Sequence, residues 1–155
     1  MTTIIDGSGS ATFATPLPMA QVADLGLPAF GRVVRTAGNL TTTSTSLVDV
    51  TGATVTITTG AFPVAYGTAQ TSFNDGTNQN VYSNVAIDGV LQHGTSGMVG
   101  NSATNIRHNL SISGQSAALS AGSHTIKQQW AVSGNTGTIN ADATYNHTFY
   151  VREIR

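Results

Sequence analysis

The sequence predicts an all-β domain, a sandwich or a barrel, and three observations agree on this. Short segments with alternating or β-branched residues recur about every 8 to 12 residues. Gly, Asn, Asp and Pro residues that favour turns separate these segments, and no segment shows a convincing helical period. The chain has 155 residues, a length typical of one domain with a single core.

The segment Ser123–Ser133 has the clearest strand pattern and carries the only tryptophan. Its alternation puts one set of side chains on the same face, namely His124, Ile126, Gln128, Trp130 and Val132. Polar and apolar residues occur on both faces, so we expect this strand to have contacts on both sides. Trp130, together with Phe149 in the last strand, is predicted to anchor the core.

The other predicted strands follow one another between turn signals. In order they are Arg32–Thr36, Thr45–Val50, Ala53–Thr59, Val64–Thr71, Val81–Ile87, Val90–His93, Asn105–Ser113, Thr138–Ala141 and His147–Ile154. A turn is predicted at Thr51-Gly52, and loops at Phe73–Asn80 and Gly94–Asn105. Asp88-Gly89 is the best hairpin signal, because both central residues of a type I′ turn need positive φ.

Residues 1–30 differ from the sandwich domain predicted for residues 31–155, because Gly, Ser and Pro interrupt any regular pairing there. We predict an extended N-terminal arm that binds a partner through its apolar residues. These are Ile4, Ile5, Phe13, Leu17, Met19, Val22, Leu25, Leu27 and Phe30. The arm either folds back on its own domain or docks on a neighbouring subunit or another protein, and we favour docking.

The composition excludes several functions. Charged residues make up 8% of the chain and the net charge is −1, so we predict no nucleic-acid partner and no membrane partner. Weak charge repulsion favours packing against copies of the same chain. Cysteine is absent, which fits synthesis in a reducing cytoplasm, and the N-terminus lacks the pattern of a secretory signal.

No residue pattern supports catalysis, so we predict a protein that is not an enzyme and has no cofactor. Glycoside hydrolysis needs two flanking carboxylates, whereas Glu153 is the only glutamate and most aspartates adjoin turns. The four histidines are far apart, which disfavours a zinc site. Asn74–Asn78 has oxygen donors suited to a weak Ca²⁺ site, but too few carboxylates, so a plain turn is favoured.

Two stretches resemble small structural proteins of tailed bacteriophages, and together the resemblance covers most of the chain. Ile4–Phe13 is similar to the N-terminal stretch of phage fibre and decoration proteins. The C-terminal portion, from Leu119–Trp130 through Phe149–Glu153, looks like the closing strands of their jelly-roll heads. The resemblance implies a jelly-roll β-sandwich of about eight strands, usually a homotrimer, attached to the virion through its arm.

These observations leave two alternatives for a virion protein made in the host cytoplasm. The first is a trimeric capsid decoration or cement protein whose arm binds the major capsid protein or another virion protein. The second is a tail or neck fibre tip that contacts host glycans through the loops Phe73–Asn80 and Gly94–Asn105, with Tyr66, Tyr82 and Trp130 as stacking platforms. A depolymerase-like hydrolase is a third hypothesis, which requires two aspartates to converge in a cleft.

Overall fold

A computed structural model describes residues 4–5, 11–12, 27–95, 97–102 and 105–155. In chain order the strands are β1 Ile4–Ile5, β2 Ala11–Thr12, β3 Phe30–Arg35, β4 Leu40–Thr42, β5 Val48–Gly60, β6 Val64–Ala69, β7 Thr71–Asn74, β8 Gln79–Ile87, β9 Val90–Leu91, β10 Met98–Ser102, β11 His108–Asn109, β12 Ile112–Gln115, β13 Ala121–Val132, β14 Gly137–Asn140 and β15 His147–Glu153. Within these ranges the regular structure is all β, and no membrane-spanning helix is found. The predicted fold class is confirmed.

One sheet, which we call the straight sheet, has the strand order β10-β8-β13-β5, and the short β9 pairs with β8. The long strand β13 lies at its centre, between β5 and β8. The face of β13 opposite Trp130 carries the half-buried Thr125, Lys127 and Gln129, and the last two bond Asp49 of β5. The Trp130 face is turned towards the core.

The second layer consists of two ladders with matching strand orders, β12-β6-β15-β3 and β11-β7-β14-β4. Each strand of one ladder is continued along the chain by the corresponding strand of the other, as β6 is by β7 across Gln70. The two ladders are therefore halves of one layer of four long strands, which we call the bent sheet. Asn39, in the break between β3 and β4, accepts a hydrogen bond through Oδ1 from the amide of Ala141 at 2.9 Å. Ala141 lies in the break between β14 and β15, so this bond joins the two breaks.

With each broken strand counted once, the two sheets contain eight long strands. The chain crosses between the sheets in the order of a jelly roll, with two Greek keys. The short hairpin β1–β2 precedes this body.

The core lies between the inner faces of the two sheets. Its largest apolar side chains are Ile57, Tyr66, Ile87, Leu110, Ile112, Ile126, Trp130, Ile139 and Phe149. Trp130 is 3% exposed and Phe149 is fully buried. On β5 and β15, alternation puts Val55, Ile57, Phe149 and Val151 inside. Most of the threonines of β5, and Arg152 of β15, lie outside.

The prediction of a turn at Thr51-Gly52 was wrong, because β5 runs without a break from Val48 to Gly60. Gly52 has a φ of 79°, and the register with β13 shifts between Lys127 and Gln129. These features are typical of a β-bulge, in which glycine supplies the left-handed backbone.

Three other local predictions can be compared with the fold. Asp88 and Gly89 have φ values of 48° and 84°, as the predicted type I′ hairpin requires. The predicted loop Gly94–Asn105 instead contains β10, which pairs with β8. The predicted strand Asn105–Ser113 is divided into β11 and the start of β12, and its Ile106 is exposed.

Candidate interaction surface

The side of the bent sheet turned away from the core carries a patch of apolar and basic side chains. We call this patch, formed by Phe30, Arg32, Val34, Tyr150 and Arg152, the outer face. The antiparallel register of β3 and β15 places Arg152 opposite Phe30 and Tyr150 opposite Arg32. Alternation along the two strands then points all five side chains to the same side of the sheet.

The outer face exposes large apolar side chains to solvent, although the solvent side of a sheet usually carries polar residues. Phe30 is 61% exposed, Val34 41% and Tyr150 38%. Isolated exposed apolar residues are normal, but a contiguous patch bordered by polar residues is typical of an interaction site. We therefore treat this face as the candidate functional site.

The neighbouring strand β6 supplies a floor of small residues to the outer face. Ala65, Gly67 and Ala69 alternate with the inward-facing residues of β6, and Gly67 lies opposite Tyr150. The Tyr150 ring lies over Gly67, where an added Cβ would come 2.4 Å from the ring atom Cζ. Glycine at this position therefore allows the ring to lie flat along the sheet.

The two arginines give the outer face a positive charge. Neither Arg32 nor Arg152 forms an ion pair with a carboxylate of the described residues. The acidic side chains of the described residues bond to other groups, away from the two arginines. For example, Asp49 accepts hydrogen bonds from Lys127 Nζ at 2.6 Å and from Gln129 Nε2 at 2.8 Å. The outer face thus combines apolar surface with two positive charges available to a partner.

Glu153 fixes the backbone where residues 27–30 meet the body. Its buried carboxylate accepts hydrogen bonds from the amide of Gly60 at 2.7 Å and from that of Ala29 at 3.0 Å. Arg155 forms an ion pair with it at 3.0 Å. Burial by itself raises the pKa of Glu153, but these hydrogen bonds and the nearby arginine outweigh it, so that the pKa lies below its usual range.

The residues predicted for the arm are only partly within the described structure. Leu27 is 60% exposed and Phe30 lies on the outer face. Phe13, Leu17, Met19, Val22 and Leu25 lie outside the described residues, and the structure describes only the backbone of Ile4 and Ile5, in β1. The sequence reasoning missed Arg32, Val34, Tyr150 and Arg152. The alternation of side chains along Phe30–Arg35 and His147–Glu153 could have shown which of these residues share one side of a strand.

A second surface feature is a cleft of about 550 Å³ beside the straight sheet. Its lining includes the half-buried Tyr82 with Leu47 and Leu91, and the hydroxyl groups of Thr45 and Ser46. Tyr66 and Trp130, the other two predicted stacking platforms, are each 3% exposed. Both side chains contribute to the core, as predicted for Trp130, and are therefore not available to stack on a ligand.

A polar cluster is buried between the sheets, close to the bend. Gln128 Oε1 lies 2.7 Å from His147 Nε2, and its amide nitrogen donates to Ser83 Oγ at 3.0 Å and to Gln70 Oε1. Burial, with a contribution from the charge of Arg35, lowers the pKa of His147 to about 4. His147 is therefore neutral at pH 7, and its Nε2–H donates to Gln128.

A second histidine is placed in the opposite electrostatic environment. His124 Nδ1 lies 2.6 Å from Asp88 Oδ2, and its Nε2 lies 2.8 Å from the carbonyl oxygen of Ser120. Both ring nitrogens thus face acceptors, an arrangement that suits the doubly protonated ring. The hydrogen bond to Asp88, followed by that to Ser120, raises the pKa of His124.

The described carboxylates are bound separately. Asp142 Oδ1 accepts from the amides of Thr144 and Tyr145, and Asp75 Oδ1 accepts from the amide of Thr136. No group of three His, Asp or Glu side chains within the described ranges is arranged to hold a metal ion. In the turn at Asn74, the side-chain oxygen accepts from the Gly76 amide at 2.8 Å, as expected of a plain turn.

Comparison with known proteins gives a likeness in structure but none in sequence. No family model matches the chain, and no curated protein matches it. VP2 of infectious bursal disease virus, in a subviral particle, superimposes with a TM-score of 0.53 and 10% identity over 81% of this chain. A structure of the Gt strain of that virus gives 0.46 and 9% over 80% of this chain, and one of T=1 particles derived from the virus gives 0.46 and 11% over 81%.

This chain covers 33% of the VP2 chain, and 37% and 36% of the other two. It therefore spans about a third of the length of these viral proteins. At such low identity the likeness establishes the fold alone, a jelly-roll β-sandwich.

Proposed function

We propose that this chain is a non-enzymatic structural protein of a virus particle. More specifically, it is a trimeric decoration or cement protein of a tailed-bacteriophage capsid, attached to the particle through its N-terminal arm. The partner of the arm is the major capsid protein or another virion protein.

The observation that carries this proposal is the position of the outer face on a jelly-roll body. A closed sandwich buries its core without help, so exposed Phe30, Val34 and Tyr150 favour a role in contact between proteins. The likeness to VP2, solved in a subviral particle, supports a particle component at the level of fold. The low content of charged residues also favours close packing of copies.

The arm adds a means of attachment separate from the body. The described body begins at Leu27, and Glu153 holds Ala29 in place. Removal of residues 2–26 therefore keeps all the contacts described among residues 27–155. This separation allows attachment and folding to be tested independently.

The test is a cosedimentation assay with capsids that lack this protein. The full chain is expected to sediment with the capsids in a fixed copy number, and the chain without residues 2–26 is expected to stay in the supernatant. A chain with the order of residues 2–26 scrambled serves as a control for length and composition. Equal binding of the truncated chain would exclude attachment through the arm.

A fibre tip that binds host glycans is the second candidate, and the cleft beside Tyr82 favours it. An aromatic ring next to hydroxyl groups suits the apolar face and the polar edge of a sugar. A glycan array probed with the full chain, and with Tyr82→Ala as control, tests this candidate. Binding that is lost in the variant supports it, and the absence of any bound glycan counts against it.

A further inference from the structure

We propose that the outer face binds residues 13–26 of a neighbouring copy of the same chain. This inference rests on the proposed function, since it assigns the contact that holds the copies of the assembly together. It also divides the arm into a proximal part that joins copies and a distal part, residues 2–12, that attaches to the particle.

The chemistry of residues 13–26 matches that of the outer face. The segment has large apolar residues at Phe13, Leu17, Met19, Val22 and Leu25. The outer face offers exposed aromatic and aliphatic groups beside the small residues of β6, which leave room for side chains of a partner. Burial of such groups from both sides is the main source of stability at protein interfaces.

The charges are complementary as well. Asp24 is the only charged residue between positions 13 and 26. Arg32 and Arg152, which project beside Phe30, have no carboxylate partner among the described residues. A single carboxylate placed between two arginines gains hydrogen bonds with both, and fixes the register of the docked segment.

The direction of the chain at the start of the body favours a neighbour over the same copy. The amide of Glu153 donates a hydrogen bond to the carbonyl oxygen of Ala29 at 2.8 Å. This bond extends the β3–β15 ladder by one residue beyond Phe30. Pro28 restricts the preceding Leu27 to an extended backbone. Residues 27–29 therefore continue the line of β3 beyond the outer face. A segment that kept this direction would meet a neighbouring copy before its own outer face.

The length of the segment is sufficient for this role. Fourteen extended residues reach at most about 50 Å, whereas a face of four strands is about 14 Å wide. Residues 13–26 of one copy are thus long enough to reach and cross the bent sheet of a neighbour.

The test measures the molar mass of the full chain by size-exclusion chromatography with light scattering. The wild type is expected to be a discrete oligomer, whereas Asp24→Arg and the double variant Arg32→Glu/Arg152→Glu are each expected to dissociate at least tenfold more readily. Arg107→Glu reverses a charge away from the outer face and is expected to assemble as the wild type does. Thermal unfolding of each variant checks that the body is folded.

Mixing the two defective variants distinguishes a neighbour from the same copy. The altered arm of one variant is complementary to the altered outer face of the other, so two of the three contacts in a mixed trimer are matched. The mixture is therefore expected to form oligomers that neither variant forms alone. A monomeric wild type, assembly of both variants at wild-type strength, or a mixture that stays monomeric would each overturn the proposal.

A chain without residues 2–12 separates this inference from the proposed function. It is expected to keep the oligomeric mass and to lose binding to capsids. Loss of the oligomer in this chain contradicts the inference, whereas an intact oligomer that still binds capsids contradicts attachment through the distal arm.

Discussion

The carboxylate of Glu153 lies 3.0 Å from the amide nitrogen of Ala29, although 124 residues separate them in the chain. The same carboxylate binds the amide of Gly60 at the end of β5. One buried side chain therefore joins the last strand, the edge of the straight sheet and the residues that lead into β3.

Replacement of Glu153 by Gln is expected to loosen this junction. The amide group retains one acceptor oxygen but presents a donor to a backbone N–H, at a cost of about 1–3 kcal/mol in stability. Hydrogen exchange at the Ala29 and Gly60 amides is expected to become faster, while Arg152→Gln, one residue away and exposed, leaves it unchanged. If both amides in Glu153→Gln stayed as protected from exchange as they are in the wild type, the carboxylate would not be what holds Ala29 and Gly60.

The ion pair of His124 with Asp88 predicts a loss of stability at alkaline pH. Its hydrogen bonds, first to Asp88 and then to Ser120, raise the pKa of His124 above its ordinary value of 6.5. The folded chain therefore binds the proton more tightly than the unfolded chain, and this stabilisation is complete below about pH 6.5. It is lost as the pH rises through the raised value.

Urea unfolding at pH 5.5, 7 and 8.5 checks this sign for the wild type and for His124→Asn. The difference in unfolding free energy between them is expected to decrease with rising pH. Asp88→Asn is expected to bring the pKa of His124 back towards its ordinary value in an NMR titration. A difference that grows with pH would contradict the arrangement.

His147 predicts the opposite trend in acid. Its pKa in the folded chain is about 4, below the ordinary value of 6.5, so between these values the unfolded chain binds more protons. Stability is therefore expected to increase by about 3 kcal/mol as the pH rises from 4 to 6.5. His147→Gln removes the titrating group, so its stability is expected to depend less on pH in this window. An unchanged dependence on pH would contradict this assignment.

Phe149 and Tyr150 are adjacent residues with different roles. Phe149 is fully buried, and Phe149→Ala is expected to cost about 3–5 kcal/mol. Tyr150 lies on the outer face, and Tyr150→Ala is expected to cost the isolated body less than about 1 kcal/mol but to weaken association of copies. Denaturant unfolding of the body, residues 27–155, measures both values, and similar costs for the two would contradict the assignment of the faces.

The strand pattern and the hairpin at Asp88-Gly89 were predictable because both are local properties. Alternation in β13 and β15 gives the faces of those strands, and an Asp-Gly pair favours positive φ by itself. The continuity of β5 across Gly52 was not predictable in this way, since a turn and a bulge share the same left-handed glycine. The neighbouring strand β13 decides between them.

The outer face was missed because it depends on which strands pair. Alternation shows that Phe30, Arg32 and Val34 share one side, but not that this side lies away from the core beside Tyr150 and Arg152. Tyr66 and Trp130 illustrate the same limit. An aromatic side chain can stack on a ligand or pack in a core, and the sequence does not distinguish the two. The packing of the two sheets places both rings inside.

Electron cryo-microscopy of purified phage particles that carry this chain tests the central proposal most directly. We expect trimers of the jelly-roll body on the capsid surface, with density that runs from Leu27 of each copy over a neighbouring outer face towards the shell. Absence of the chain from purified particles, with the protein recovered as a free monomer, would contradict it.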